Sequence, residues 1–343
     1  MTTQRDILKQ QILQVEFGNF DQLALQIFHY QATYNELYHQ YLTLLRVNPN
    51  EVQTVTDIPF LPISFFKTHE VKTGGSQQWA VGSGQKTKGM RRAVFSSSGT
   101  TGTTTSRHFV NDLDFYLENT VLGFERFYDK VKDFCVLGLL PSYLERSGSS
   151  LIAMVDHFIQ LSAQPQSGFF LYDHDALATV LMDCQKNNIP TLLIGVSFAL
   201  LDFAEAHQLD LSKIIIMETG GMKGRRKEIT RTELHSILQK SFNVSNIHSE
   251  YGMTELLSQG YSKGNGLFYP TPTMKLFPRE ITDPFAMQKN NRTGVLNIID
   301  LANLDSCAFI ATDDLGRVYE YGSFEILGRL DTSDIRGCNL MVV

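Results

Sequence analysis

The sequence predicts an α/β protein in which a parallel sheet is covered by helices and a β-rich subdomain follows. Three observations carry this. Between 134 and 242, short apolar runs alternate with longer stretches of helical periodicity, the pattern of repeated βαβ units. The runs 135–140 and 191–196 are almost continuously apolar, as strands buried on both faces are. After about 260 the helical pattern stops and strand-like runs follow one another. With 343 residues, 43% hydrophobic and 19% charged, the chain is large enough to bury such a core.

Taken in order, the first element is helical. Leu23, Ile27, Tyr30, Tyr34, Leu37, Tyr41 and Leu44 recur every three or four residues and share one face. A helix packed on the main body and a brief coiled-coil seam both fit this stripe. Asn48-Pro49-Asn50 ends it. Residues 58–63 read as extended, because each proline disfavours helix in the residue before it. Residues 73–92 are rich in Gly, Lys and Gln and read as a loop. Within it, Gly82-Ser83-Gly84-Gln85-Lys86-Thr87 lacks the Gly-Lys-[Ser/Thr] of a Walker loop.

Strands are then expected at 135–140, 168–172, 191–196 and 213–217, and helices at 150–160, 175–186, 198–207 and 230–242. Further strands are expected at 267–276, 294–301, 308–312 and 317–327. The implied division is an N-terminal region (1–95) packing on the main body, an α/β core (96–260), a β-rich part (261–330) and a tail (331–343) that carries Cys338.

Composition excludes some functions. A net charge of −6 and the absence of a long basic run oppose a general nucleic-acid binder. Residues 1–10 have no apolar signal core, and no apolar stretch is long enough to span a bilayer. The four cysteines, Cys135, Cys184, Cys307 and Cys338, form no CxxC pair, so neither a zinc site nor a disulfide framework is indicated. A reduced cytoplasm is the expected location. The oligomeric state is left open.

Four segments bear chemistry. In the first, Ser96-Ser97-Ser98-Gly99-Thr100-Thr101-Gly102-Thr103-Thr104-Thr105-Ser106-Arg107, every residue but the last is Ser, Thr or Gly. Such a loop can present hydroxyls and bare amides to a phosphate. Next come Tyr251-Gly252-Met253-Thr254-Glu255, then Thr312-Asp313-Asp314-Leu315-Gly316, then Gly328-Arg329-Leu330-Asp331.

Together, in order and over about 240 residues, these resemble the adenylate-forming superfamily of acyl-CoA synthetases, peptide-synthetase adenylation domains and firefly luciferase. The loop is similar to that family's SGTTG-x-PKG segment, and 251–255 matches YGxTE. Residues 312–316 are similar to TGDLG, with Asp313 replacing a glycine, and 328–331 match GRxD. The implied fold is that family's N-terminal domain, layered α/β sheets plus a β-rich subdomain, with the small C-terminal domain absent. The implied reaction is attack of a carboxylate on the α-phosphate of ATP, with Mg2+ present. The acid needs no general base, since at a pKa of about 4 to 5 it is already ionised at neutral pH.

By this resemblance Ser97, Ser98, Gly99, Thr100, Thr101 and Gly102 hold phosphate, Thr254 meets the α-phosphate and Glu255 holds Mg2+. Tyr251 and Gly252 flank the nucleotide. Asp314 accepts the ribose hydroxyls and Arg329 supports them. Gly220-Gly221 forms the turn beside adenine and acyl group. Gly195, Val196, Ser197, Phe198 and Met222 are candidates for the acyl pocket, and they suit core packing equally. The loop lacks the family's Pro-Lys, which leaves Arg107 as the nearest cation. Bland alternatives stand beside these roles: Glu255 capping a helix that begins near Thr254, Asp314 as a turn aspartate, and His108 and His157 as structural histidines.

Within the superfamily, the chain resembles the acyl-protein synthetases of the LuxE type. Phe60-Leu61-Pro62-Ile63-Ser64-Phe65-Phe66-Lys67, Leu140-Pro141-Ser142-Tyr143-Leu144-Glu145-Arg146 and Arg336-Gly337-Cys338 carry that likeness. It implies a fatty acid as substrate, transfer to Cys338 as a thioester, and a partner such as an acyl-reductase or acyl-transferase. The alternatives are an aryl- or acyl-CoA ligase of the phenylacetate type and a non-enzymatic acyl- or nucleotide-binding subunit.

Overall fold

Helix α1 (Gln4–Leu13) starts on a reciprocal cap in which Thr3 and Asp6 satisfy each other's amides. Helices α2 (Phe20–Tyr34) and α3 (Glu36–Leu44) follow, then strand β1 (Leu61–Pro62) and the short α4 (Phe65–Thr68). A hairpin comes next, β2 (Ala93–Ser96) and β3 (Arg107–Val110), and then α5 (Leu113–Glu125). The alternating region comprises β4 (Cys135–Leu139), α6 (Ser150–Leu161), β5 (Gly168–Phe169), α7 (His174–Asn187), β6 (Thr191–Val196), α8 (Ser197–Ala206), β7 (Ile215–Thr219), α9 (Arg231–Phe242) and β8 (His248–Tyr251). The chain continues through β9 (Gly260–Ser262), β10 (Tyr269–Pro270), β11 (Met274–Arg279), β12 (Gly294–Asp300), β13 (Phe309–Val318) and β14 (Phe324–Arg329). The structure is a computed structural model, and it describes residues 3–74, 91–97, 105–141, 148–220, 226 and 229–330.

Two compact units emerge. One joins residues 1–76 to 272–343, and the other spans 77–271. In the second, a seven-stranded sheet runs in the order β10-β9-β8-β7-β6-β4-β5, with β5, β4, β6, β7 and β8 mutually parallel. β4 and β6 are buried along their whole length, which is why their sequences are continuously apolar. Helices α7 and α9 end on Asn188 and Asn243 in the left-handed conformation, φ 54° and 49°, a position asparagine tolerates.

In the first unit, β1, β13, β12 and β11 lie side by side, with β14 on β13. β1 runs parallel to β13, pairing Leu61 with Ile310, as the extended 58–63 reading requires. The structure adds three details. First, the N-terminal helices pack on the β-rich part, within the same unit. Their attachment is specific: the fully buried Gln31 amide donates to the Asn303 and Leu304 carbonyls at 2.8 and 3.0 Å and accepts from Ala308 N–H at 2.9 Å. Phe28 and Tyr38 both contact the ring of Phe309, at 5.9 and 6.0 Å between centroids.

Second, the stripe from Leu23 to Leu44 is two helices. Asn35 leaves the helical region (φ −101°, ψ 103°) and its side chain caps the next helix through Tyr38 N–H. The buried face of α3 is therefore Tyr38 and Leu42, while Tyr34 and Leu44 are exposed. Third, the expected strand 267–276 divides: β10 joins the second unit's sheet and β11 joins the first unit's. Likewise 308–312 and 317–327 are not separated by a turn at 313–316, because β13 runs unbroken from Phe309 to Val318.

Candidate active site

The C-terminal ends of β6, β7 and β8 lie in register, Gly195 beside Glu218 and Thr219 beside Glu250. Ligands of open α/β sheets bind at this edge. Gly220, just past β7, has φ +69°, which glycine adopts at no steric cost. Its carbonyl accepts from the Ser197 hydroxyl at 3.0 Å, and Glu218 Oε2 lies 3.3 Å from the same hydroxyl. Gly195, Val196, Ser197 and Phe198 sit at the end of β6 and the start of α8, and all four are buried. A Cβ on Gly195 would meet Leu200 Cγ at 2.8 Å, so Gly195 is close-packed against the α8 leucine. Gly221 and Met222 lie outside the described residues.

The 251–255 segment leaves β8 as a turn closed by Leu256 N–H to the Met253 carbonyl at 3.2 Å. No helix starts at Thr254, so Glu255 caps none. Its side chain instead lies buried in the turn, 6% exposed. Two elements hold this turn. His108 on β3, fully buried, donates from Nδ1 to the Thr254 carbonyl at 2.8 Å. Asn119 on α5 donates to the Leu257 carbonyl at 2.9 Å.

The same β3 forms one arm of the hairpin that carries the Ser/Thr/Gly loop. Its neck is closed by Ser97 N–H to the Ser106 carbonyl (3.1 Å) and Ser106 N–H to Ser97 Oγ (2.9 Å). Arg107 opens β3, exposed, with its guanidinium 5.7 Å from the Phe109 ring centroid. Ser98, Gly99, Thr100, Thr101 and Gly102 lie outside the described residues.

In the other unit, β13 and β14 pair Asp314 with Arg329. Their side chains approach to 3.8 Å, at 15% and 65% exposure. Asp314 N–H donates to Thr312 Oγ1 at 3.1 Å, and Thr312 Oγ1 donates to the Leu296 carbonyl at 2.7 Å. The 312–316 and 328–331 motifs, distant in sequence, are thus one two-stranded feature. A cleft of about 370 Å3 in this unit, walled by Ile58, Phe60 and Met287, contains none of the expected site residues.

Burial decides the chemistry of the thiols. It pushes the Cys135 thiol up to about 12, with Cys184 adding to the shift, and it pushes Cys307 up to about 12 as well. Cys135, Cys184 and Cys307 are all buried and unpaired with one another by disulfide. Thiols in that state are poor nucleophiles. Cys338 lies outside the described residues.

Sequence reasoning missed three side chains. His108 was legible as a histidine but not as the link between two motifs. Glu218 and Glu250 are buried carboxylates, 4% and 8% exposed; an acid ending the apolar run 214–217 was the available signal for Glu218, and the polar stretch 248–250 offered none for Glu250. Glu218 faces Arg231 Nε and His235 Nε2 of α9, each at 3.5 Å.

No protein-family model matches the chain, and no curated protein matches it. Solved structures do. The ATP-bound MatB of Rhodopseudomonas palustris is similar with a TM-score of 0.53 at 16% identity, over 69% of this chain and 48% of that one. A long-chain-fatty-acid-CoA ligase from Archaeoglobus fulgidus is similar with a TM-score of 0.50 at 15% identity, over 72% of this chain and 53% of that one. The chain thus spans about half the length of these structures. Among the described residues no helix is long and apolar enough to cross a membrane. At such identities the likeness is one of fold: the α/β architecture of this chain is shared with about half of each of those longer structures.

Proposed function

We propose that this chain activates a carboxylic acid with ATP and Mg2+, forms an acyl-adenylate, and passes the acyl group to its own Cys338. The observation that carries the first half is the bond from His108 Nδ1 to the Thr254 carbonyl. It ties the hairpin bearing the phosphate-type loop to the turn bearing Thr254 and Glu255, the two motifs that must act on one triphosphate.

In this reading a carboxylate oxygen attacks the α-phosphorus, the α–β bridging P–O bond breaks, and pyrophosphate leaves with its electron pair. Positioning and charge neutralisation then supply the catalysis. Ser97 and the loop amides hold phosphate oxygens, the Thr254 hydroxyl donates to the α-phosphate, and Asp314 accepts from the ribose with Arg329 beside it. The donor set of this turn, one buried carboxylate with a neighbouring hydroxyl, fits magnesium, which takes one or two protein carboxylates and shares phosphate oxygens. Glu255 would hold it, and when bound it neutralises the charge of the phosphates. In the second step the Cys338 thiolate attacks the acyl carbonyl, the C–O bond to AMP breaks, and the thiol proton goes to solvent. The buried state of the other three thiols supports Cys338 as the acceptor. A fatty acid is the substrate class proposed, and an acyl-accepting reductase or transferase the class of partner.

A second reading, transfer to coenzyme A, is favoured by the likeness to a structure described as a fatty-acid-CoA ligase. ATP–pyrophosphate exchange across a panel of acids, with intact mass in parallel, separates the two. The self-acylation reading expects a mass gain of one acyl group, lost in Cys338→Ser. Equal labelling of Cys338→Ser, or AMP release that requires coenzyme A, overturns it.

A further inference from the structure

Thr219 ends β7 and Glu250 lies beside it on β8, paired in parallel register. The Thr219 hydroxyl donates to Glu250 Oε2 at 2.5 Å. The other carboxyl oxygen folds toward the backbone that follows. A Cβ on Gly252 would stand 2.5 Å from Glu250 Oε1, so only glycine lets the carboxyl group lie there. One side chain therefore touches both the strand end that delivers Gly220 and the start of the 251–255 turn. His108 and Asn119 hold the same turn from β3 and α5.

The surroundings bias this carboxyl group toward its neutral form. Glu218 on β7 is a second carboxylate nearby, and it faces Arg231 and His235 of α9. Tyr261 on β9 pairs with Glu250 in register, and the Tyr128 and Tyr116 phenols approach Tyr261. Burial first and Glu218 second raise the Glu250 carboxyl to about 7, against the Thr219 bond, which acts the other way. The group is thus poised to change charge near neutrality in a place where charge is costly.

We propose that Glu250 is a positioning residue for the adenylation proposed above, on which this inference rests: held by Thr219 and folded over Gly252, it clasps the 251–255 turn to the end of β7. Loss of the clasp lets Thr254 and Glu255 drift from the triphosphate while the sheet itself persists. Charging the clasp draws water toward it and loosens the same turn.

The test uses Glu250→Ala, Glu250→Gln and Thr219→Val, read by amide hydrogen exchange and by pyrophosphate exchange. Glu250→Ala and Thr219→Val are expected to cut protection of residues 251–257 by about tenfold or more, with β4 and β6 unchanged. Glu250→Gln keeps the acceptor for Thr219 and is expected to retain protection. Wild type is expected to lose protection of this turn between about pH 5 and about pH 8, and the Gln variant is not. In pyrophosphate exchange, Thr219→Val is expected to lower kcat about tenfold with the KM for the acid unchanged, and Glu250→Gln to keep kcat near the wild-type value. Unchanged protection in both clasp-breaking variants, or the same pH response in Glu250→Gln as in wild type, overturns the proposal. If Glu250→Ala fails to fold, Thr219→Val and Glu250→Gln decide alone. An intact, pH-dependent clasp in a wild type that shows no pyrophosphate exchange overturns the adenylation reading instead.

Discussion

Two carboxylates on strands meet opposite surroundings. Glu250, 8% exposed, is held by a neutral hydroxyl and lies against the position of Gly252 that a side chain would fill. Asp314, with its side chain 15% exposed, stands beside a guanidinium that is 65% exposed. The first is placed for shape and hydrogen bonding, because a charge there would go unsolvated. The second, partly exposed, has a cation 3.8 Å away to balance its charge. The sheet edge of one unit thus stores a neutral clasp, and the hairpin-like β13–β14 pair of the other offers a charged contact. What an acidic residue does here follows from the burial and the partners that its strand gives it.

The largest effect separating the two concerns pH. A carboxyl raised from its ordinary value of 4.5 to about 7 contributes stability that is present below about 4.5 and lost as pH rises to about 7. The difference in unfolding free energy between wild type and Glu250→Gln should fall by roughly 3 kcal/mol across that interval. The subtraction matters because His248, which burial lowers to about 4, works in the other direction. Its folded pKa lies below the unfolded value of 6.5, so it costs stability as pH falls from 6.5 toward 4. Urea unfolding of both proteins at several pH values measures it, and a flat difference would break the contrast.

Packing comes next. Gly316 lies at the register shift of β13 against β14. A Cβ there would clash with the Glu325 carbonyl and meet Leu296 Cδ1 at 2.8 Å, and a backbone oxygen cannot swing aside. Gly316→Ala should cost about 2 kcal/mol in urea unfolding. An unchanged midpoint would mean that the Asp314–Arg329 pair does not need this close approach. The smallest effect is the charged contact itself. Asp314→Asn should raise the KM for ATP about tenfold and leave kcat nearly unchanged, since a hydrogen bond to a charged acceptor is worth about 1.5 kcal/mol or more. A fall in kcat at constant KM would remove Asp314 from the ribose and place its role in the reacting state.

Much of the α/β unit was legible before the structure. The strand 191–196 and the helices at 150–160, 175–186 and 230–242 were expected within a residue or so of their observed ends. Burial on both faces leaves no room for a polar position, so such a strand announces itself. The 23–44 stripe misled because its period survives the break: Asn35 ends one helix and caps the next. Residues 313–316 looked like a turn because Asp-Asp and Gly favour turns. Pairing with β12 and β14 overrode that preference and made them strand.

The candidate site was legible as residue types and not as an assembly. The sequence by itself determined which strands are buried, where the Ser/Thr/Gly-rich segment and the small-residue turns fall, and that Thr254, Glu255, Asp314 and Arg329 carry polar groups of the kinds a nucleotide could use. Those properties are local, set by apolar periodicity, backbone freedom and functional group. Tertiary structure alone decided that the N-terminal helices pack on the β-rich part, that Asp314 and Arg329 are neighbours, that His108 reaches Thr254, and that Glu250 is buried against Thr219. These depend on contacts between residues far apart in the chain, and the free energy that selects them, from burial and from the cost of an unsatisfied polar group, belongs to the pair and is written in neither residue alone.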